Sequence, residues 1–306
     1  MPGRTIIVGD IHGMLTELKA LVAAVKLTKD DLLVLAGDVM DKGPDSAGVV
    51  QFLRDLRDQG YNIILVLGNH DEKNARFRMA FARAGEKGVK KMKGRDEMMA
   101  FTEALSPEDV AFLDSAVPYA EVPGGIVVHA GVLPTMEKLP TLDEYAEMSR
   151  GEQSKFHRIL RVRHVTAKTD IKLTLEIGGL DHLDPEPEAG APVTLRELMD
   201  AAGSDLDAVV VKKVVKPQGS FLSLGKEGPG DPFWADVYDG RFGHIYFGHS
   251  PYPDADVPVL FPHATGLDLG AVFGGHLAAV VLEDGEKDQA VVVEASGKFA
   301  TSFWEE

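Results

Sequence analysis

Asp38 and Asp41 stand three residues apart in Gly37-Asp38-Val39-Met40-Asp41-Lys42-Gly43, directly after the apolar run Leu32 to Ala36. A carboxylate just beyond a buried strand can reach a divalent cation, and a turn can bring the second carboxylate to the same pocket. Four other segments end an apolar stretch in His, Asp or Asn beside glycine: Gly9-Asp10-Ile11-His12-Gly13, Gly68-Asn69-His70-Asp71, His129-Ala130-Gly131 and Gly248-His249-Ser250. Five strand-end clusters of this kind point to one shared metal site. Asp10 and His12, two residues apart on extended backbone, can face the same space and offer one ion an oxygen and a nitrogen. Asp38 can bridge two ions, and Asn69, His129 and His249 can complete the donors of the second. Two divalent ions ~3.5 to 4 Å apart would hold a hydroxide and polarise a phosphoryl group.

His70 adjoins a ligand but has a different use. Its imidazole can protonate a leaving oxygen, with Asp41 holding the ring in orientation. His157, His164, His182, His244, His263 and His276 lack such neighbours and read as ordinary polar or half-buried histidines.

These side chains need strands and turns to aim them. Thr5 to Val8, Asp31 to Ala36 and Asn62 to Leu67 have the apolar character of buried strands. Helical spacing follows each, over Met14 to Lys26, Ser46 to Gln59 and Glu72 to Ala84, with Gly68 to Asp71 expected as a loop. Three βα units in succession imply an α/β sheet. The lysine-rich stretch Gly85 to Gly94 reads as an exposed turn, Arg95 to Leu105 as a helix, and Ser106-Pro107 as the cap and first turn of another. Ile126 to Val128 and His244 to Phe247 are strands delivering His129 and His249. Leu267 to Val272, His276 to Leu282 and Ala290 to Glu294 suggest further sheet.

Donors thus flank an irregular middle, about residues 142–231, which reads as an insertion or cap within one domain spanning 1–306. Within it, Asp184 to Pro192 is expected as a linker, Leu195 to Met199 as a helix, Ala208 to Val215 as a strand and Gly225 to Gly230 as a mobile loop. Phe156 to His164 gathers basic side chains against an acidic average.

The chain has 306 residues, no cysteine and a formal net charge of −16. Its length supports a substantial core without staples. Any metal must be held by His, Asp, Asn or Glu. The charge disfavours a generic nucleic-acid surface, and no apolar run approaches the ~20 residues of a membrane span. The first chemical motif begins at Gly9, where a cleaved leader would remove it, so a cytoplasmic location is expected.

Together the five motifs resemble the calcineurin-like metallophosphoesterases, specifically the phosphoprotein-phosphatase branch, in the order that family shows and over about 240 residues. The resemblance implies a four-layer α/β-β-α sandwich with the metals at strand ends. It implies Asp10, His12 and Asp38 on one ion, and Asp38, Asn69, His129 and His249 on the other, with His70 and Asp41 as the acid dyad. The family uses Mn²⁺, or mixed Fe and Zn; Mn²⁺ is expected here, although the donor set itself does not decide. Lys42 replaces the family's phosphate-binding Arg, keeping the charge but losing the planar fork. Arg161, Arg163, Lys212 and Lys213 are candidates to supplement it.

The segments Phe233 to Gly243, Tyr246 to Ser250 and Thr265 to Ala279 look like bacterial diadenosine tetraphosphatase-like enzymes, with Leu269 and Ala271 departing from their pattern. The leading expectation is therefore hydrolysis of a dinucleoside polyphosphate such as diadenosine tetraphosphate. Phe156, Phe233 or Trp234 could stack on a base, against the commoner role of aromatics in a core. A serine/threonine protein phosphatase is the alternative. RNA 5′-end dephosphorylation or decapping and a noncatalytic binding protein rank behind.

Overall fold

Alternation of side chains along short apolar strands builds this fold. The computed structural model describes residues 3–168, 170–177, 209–216 and 218–301. Strands β1 (Thr5–Val8), β2 (Leu32–Leu35) and β3 (Asn62–Leu65) run parallel, joined by helices α1 (Leu15–Ala24) and α2 (Ser46–Asp58). After β3 come α3 (Asn69–Ala84), α4 (Glu86–Val89), α5 (Arg95–Ala104) and α6 (Pro107–Asp114). A hairpin of β4 (Tyr119–Val122) and β5 (Gly125–Val128) leads to α7 (Leu142–Glu147) and α8 (Arg150–Phe156). The antiparallel pair β6 (Asp170–Ile177) and β7 (Val209–Lys216) follows. The chain then adds β8 (His244–Phe247), β9 (Val259–Phe261), β10 (Ala264–Gly266), β11 (Asp268–Leu269), β12 (His276–Leu282) and β13 (Gln289–Glu294).

Two large sheets result, one ordered β11-β12-β1-β2-β3 with β13 beside β12, the other β4-β5-β8-β10-β9. They pack face to face because successive residues point to opposite sides. Ile7 and Val34 of the first sheet meet Val127 and Tyr246 of the second in one buried layer. Their neighbours Ile6, Val8, Leu33 and Leu35 turn outward onto α1, α2 and α6, where Leu18, Leu21, Val50, Leu53 and Phe112 cover them. On the far side, Ile126, Val128, Ile245 and Phe247 pack with Val162, Val165 and Trp234. The chain is a mixed α/β sandwich with helical insertions, as expected. Each fully buried Ile, Leu or Val side chain contributes roughly 1.5–3 kcal/mol.

Local signals account for several boundaries. Asp45 caps α2 by accepting the Gly48 amide at 2.8 Å. Ser106 and Asp109 cap α6 reciprocally, with Pro107 in the first turn. Residues 68–71, however, are not a loop. Helix α3 begins at Asn69, because Asp71 Oδ2 accepts the Gly68 amide at 3.0 Å and turns the chain into helix three residues early. Gly85 to Gly94 is more than an exposed turn, since it contains α4 and buries Val89 in a small cluster with Phe77 and Met98. Leu267 to Val272 holds only the two-residue β11 before a 3-10 turn at Ala271–Phe273. The strand expected over Ala208 to Val215 is β7, whereas the linker at Asp184 to Pro192, the helix at Leu195 to Met199 and His182 lie outside the described residues. Among the described residues, no helix is long and apolar enough to cross a membrane.

Candidate metal centre

Five parallel strand ends converge where the two sheets meet. Asp10 and His12 follow β1, Asp38 follows β2, Asn69 opens α3 after β3, His129 follows β5 and His249 follows β8. The carboxyl ends of parallel strands are where α/β sheets place ligands. Six described non-glycine residues have positive φ, and five of them, His12, Asp38, Asp41, Lys42 and His249, lie in these turns. Such backbone is costly for residues with a Cβ and is held where function requires it. Glycines allow the turns to approach closely: a Cβ on Gly248 would collide with Asp10 Oδ1, and one on Gly68 with Asp38.

Hydrogen bonds fix the histidine faces. His129 Nδ1 donates to the Ala36 carbonyl at 2.8 Å, and His12 Nδ1 donates to the Met40 carbonyl at 3.1 Å. Each ring therefore turns its Nε2 lone pair inward. His129 Nε2 lies 3.0 Å from Asn69 Oδ1 and 3.4 Å from Asp38 Oδ2. His12 Nε2 lies 3.7 Å from Asp38 Oδ2 and 3.8 Å from Asp10 Oδ2. Nitrogen and oxygen donors gathered this closely are what a cation satisfies, so they fit divalent metal. His12, Asp38 and His70 present donor atoms within 4.8 Å of one another, and so do Asp38, His129 and His249. These are two potential metal clusters with Asp38 common to both.

The charges agree. Asp10 is buried, and burial together with the nearby Asp268 and Asp38 carboxylates raises its pKa well above the ordinary value. Burial opposes ionisation of Asp38 too, but His129, His70 and His12 hold its pKa well below the usual range. Burial depresses the His129 imidazolium, yet Asp38 and Asp10 push its pKa up to about 9. The carboxylates thus demand positive charge at this point, and a metal ion would displace the proton.

His70 Nδ1 is 2.7 Å from Asp41 Oδ2, while its Nε2 faces Asp38 Oδ2 at 3.9 Å. The expected dyad geometry is present, and the ring also lies within reach of the first cluster. The hydrogen bond from His70 holds the Asp41 pKa well below the ordinary carboxylate range, with Lys73 at 3.7 Å adding to the effect. Asp71 sits behind the site, accepting the Asp38 amide at 2.8 Å; burial and the Asp38 charge raise its pKa to about 7.

Of the proposed phosphate cations, Lys42 and Arg163 line the metal-facing pocket of about 220 Å³ and Arg161 does not. Lys42 Nζ lies 3.1 Å from His12 Nε2, and Arg163 donates to the His249 carbonyl at 2.7 Å. Arg161 pairs instead with Glu72 at 2.7 Å, in an adjoining groove. The side chains of Lys212 and Lys213 lie outside the described part of the structure. Trp234 is fully buried in an aromatic core with Phe247, so it is no base platform, and the half-buried Phe233 packs on that core beside Phe247 and Phe261. Phe156 packs on Tyr145, ring centroids 5.7 Å apart.

The sequence did not single out Asp268 as a site residue. It is a buried carboxylate lining the same pocket, its Oδ1 accepting the Gly270 amide at 3.0 Å. Its place in Thr265-Gly266-Leu267-Asp268, between two apolar residues, was the available signal.

The calcineurin-like phosphoesterase family matches residues 3–279. The chain belongs to that family. Membership makes it a metal-dependent phosphoesterase, in agreement with the two donor clusters. Among curated relatives, the symmetrical bis(5′-nucleosyl)-tetraphosphatase of Pectobacterium carotovorum subsp. carotovorum is 30% identical over 254 residues, 74% of this chain and 84% of that protein. The enzyme of the same name from Salmonella typhimurium is 27% identical over 74% of this chain and 83% of its own. A crystal structure assigned to a diadenosine tetraphosphatase superposes with a TM-score of 0.58, at 22% identity, covering 97% of this chain and 96% of the other. That superposition supports the phosphoesterase fold.

Proposed function

We propose that the protein hydrolyses dinucleoside polyphosphates such as diadenosine tetraphosphate, cleaving symmetrically to two ADP. The substrate rests on one observation above the others: relatives bearing the symmetrical tetraphosphatase name align over more than four-fifths of their length. The reaction class rests on the metal centre. Asp10, His12 and Asp38 would hold one divalent ion, and Asp38, Asn69, His129 and His249 the other. We take both to be Mn²⁺, as the family resemblance implies, with Fe and Zn as the alternative, since mixed oxygen and nitrogen donors do not themselves decide. When bound, the ions supply Lewis acidity toward phosphoryl oxygens and a nucleophilic oxygen at neutral pH.

The remaining work falls to the chain. Lys42 and Arg163 border the pocket and would hold non-bridging oxygens of the reacting phosphates. Asp41 accepts the Nδ1 proton of His70 and holds the ring so that Nε2 can pass a proton to the departing oxygen. From the 142–231 insertion, Arg163 and Leu224 line this pocket, and that part of the insertion would act as a cap. Mn²⁺-loaded protein incubated with diadenosine tetraphosphate, with products resolved by chromatography, should yield ADP alone. ATP plus AMP would overturn symmetrical cleavage, and absence of turnover would overturn the substrate.

A further inference from the structure

The metal-facing pocket is too small for the proposed substrate. At about 220 Å³ it falls below the ~300–1,000 Å³ of sites that enclose small organic ligands, so it takes the reacting phosphates and leaves a nucleoside outside. A second groove of about 710 Å³ opens beside it. Helix α3 connects the two: Asn69 and His70 in its first turn line the small pocket, while Glu72, Arg76 and Met79 line the groove. From Asn69 to Arg76 is about 10 Å along the axis at 1.5 Å per residue.

The groove has the chemistry of a nucleotide site. In a chain of net charge −16 it collects four arginines, Arg76, Arg150, Arg158 and Arg161, against two carboxylates, Glu72 and Asp114. Asp114 is engaged by Arg78 at 2.7 Å outside the lining. Glu72 is the hub of the floor, holding Arg76 and Arg161 at 2.7 Å each, with His157 Nδ1 at 3.9 Å. Among the described residues, Arg150 and Arg158 have no carboxylate partner, and both are exposed. Apolar surface for a base adjoins these cations. The Arg158 guanidinium stands 5.9 Å over the Phe221 ring, and the Tyr145 hydroxyl is fixed 2.7 Å from His157 Nε2.

We infer that this groove binds the distal nucleotide of the dinucleoside polyphosphate, with Arg158 on its phosphates and Phe221 and Tyr145 against its base. The inference rests on the proposed substrate and assigns the selection of that substrate to Tyr145 of α7, Arg158 in the 3-10 turn after α8, and Phe221. Planar guanidinium suits both phosphate and an aromatic face, and positive charge concentrated in a concave site draws anionic ligand.

The test uses the Mn²⁺-loaded full chain and its Arg158→Ala and Phe221→Ala variants. Each is assayed with diadenosine tetraphosphate and with p-nitrophenyl phosphate, which has no distal nucleotide. The ratio of the two kcat/KM values should fall about tenfold or more in Arg158→Ala, through KM, as expected for loss of a charge-assisted contact. The inhibition constant of ADP should rise in parallel. A ratio equal to that of wild type in both variants, whether activity is kept or lost equally on the two substrates, would overturn the subsite and leave the proposed function standing. Failure of the wild type to cleave diadenosine tetraphosphate would overturn the proposed function, and the subsite with it.

Discussion

Lys42 Nζ lies 3.1 Å from Nε2 of His12, on the lone pair that the Met40 carbonyl leaves facing the metal site. The Phe273 ring is 5.1 Å from the same ammonium. Side chain and divalent ion therefore address one nitrogen with like charge. Lys42→Gln should bind Mn²⁺ more tightly, by roughly fivefold if the repulsion removed is ~1 kcal/mol. It should also raise KM for phosphoesters. Calorimetric titration of Mn²⁺ checks the first expectation, and unchanged affinity would remove Lys42 from competition for His12.

Asp38 reaches both clusters, so its replacement affects both ions. Asp38→Asn should lower bound metal from two equivalents toward none under micromolar Mn²⁺, measured by plasma mass spectrometry after desalting. A variant that keeps one full equivalent would show that Asp38 does not bridge.

Asp41 and His70 should separate leaving-group chemistry from metal binding. His70→Asn is expected to retain its metal and lose about 10²–10⁴ in kcat, the usual worth of a general acid. The loss should be greatest for alkyl phosphates, whose leaving oxygens need a proton most. Asp41→Asn should produce a smaller loss in the same order. Because the His70 ring also lies within reach of the first cluster, loss of an ion in His70→Asn would make it a ligand instead.

Far from the site, Asp31 accepts from the Arg4 amide and guanidinium and from the Thr28 amide and hydroxyl. Burial opposes its charge, but Arg4 and Thr28 prevail and lower its pKa to about 2. A depressed folded-state pKa adds stability above the unfolded value of ~3.9, and that stability is lost as pH falls through about 2. Arg4 is 27% exposed, so solvent screening limits the contribution to about 1–2 kcal/mol. Asp31→Asn should therefore be less stable than wild type in urea at pH 6, and the gap should close between pH 4 and 2. A gap independent of pH would mean that the carboxylate charge is not what Arg4 and Thr28 recognise.

The centre of the fold was legible because β1, β2, β5 and β8 are apolar runs ending in glycine and a metal donor. The strands β4 and β9 were not. Glu121 interrupts the first, and the second exposes Leu260 at 77%, so neither carries a clean alternation. The start of α3 was missed because Gly68 is a poor helix signal by itself, and Asp71 supplies the turn only once it has folded back on the Gly68 amide. All six expected metal donors, His70 and Asp41 converge on one place, since each motif fixes a strand end. Arg161 shows the limit of that logic: its partner Glu72 is 89 residues away, and nothing local to either residue announces the pair.

The Asp10 carboxylate accepts the amide of His249 across 239 residues, and β1 pairs with both β2 and the late strand β12. A growing polypeptide can arrange Asp10, His12, Asp38 and Asn69 early, but it lacks the closing donor and keeps one edge of its first strand bare until residues 276–282 have been synthesised. The second donor cluster is thus complete only after His249 has been made. Once loaded, the ions would clasp β1 to β8, and chelation should lower the resistance of the whole sandwich to unfolding as well as its catalysis.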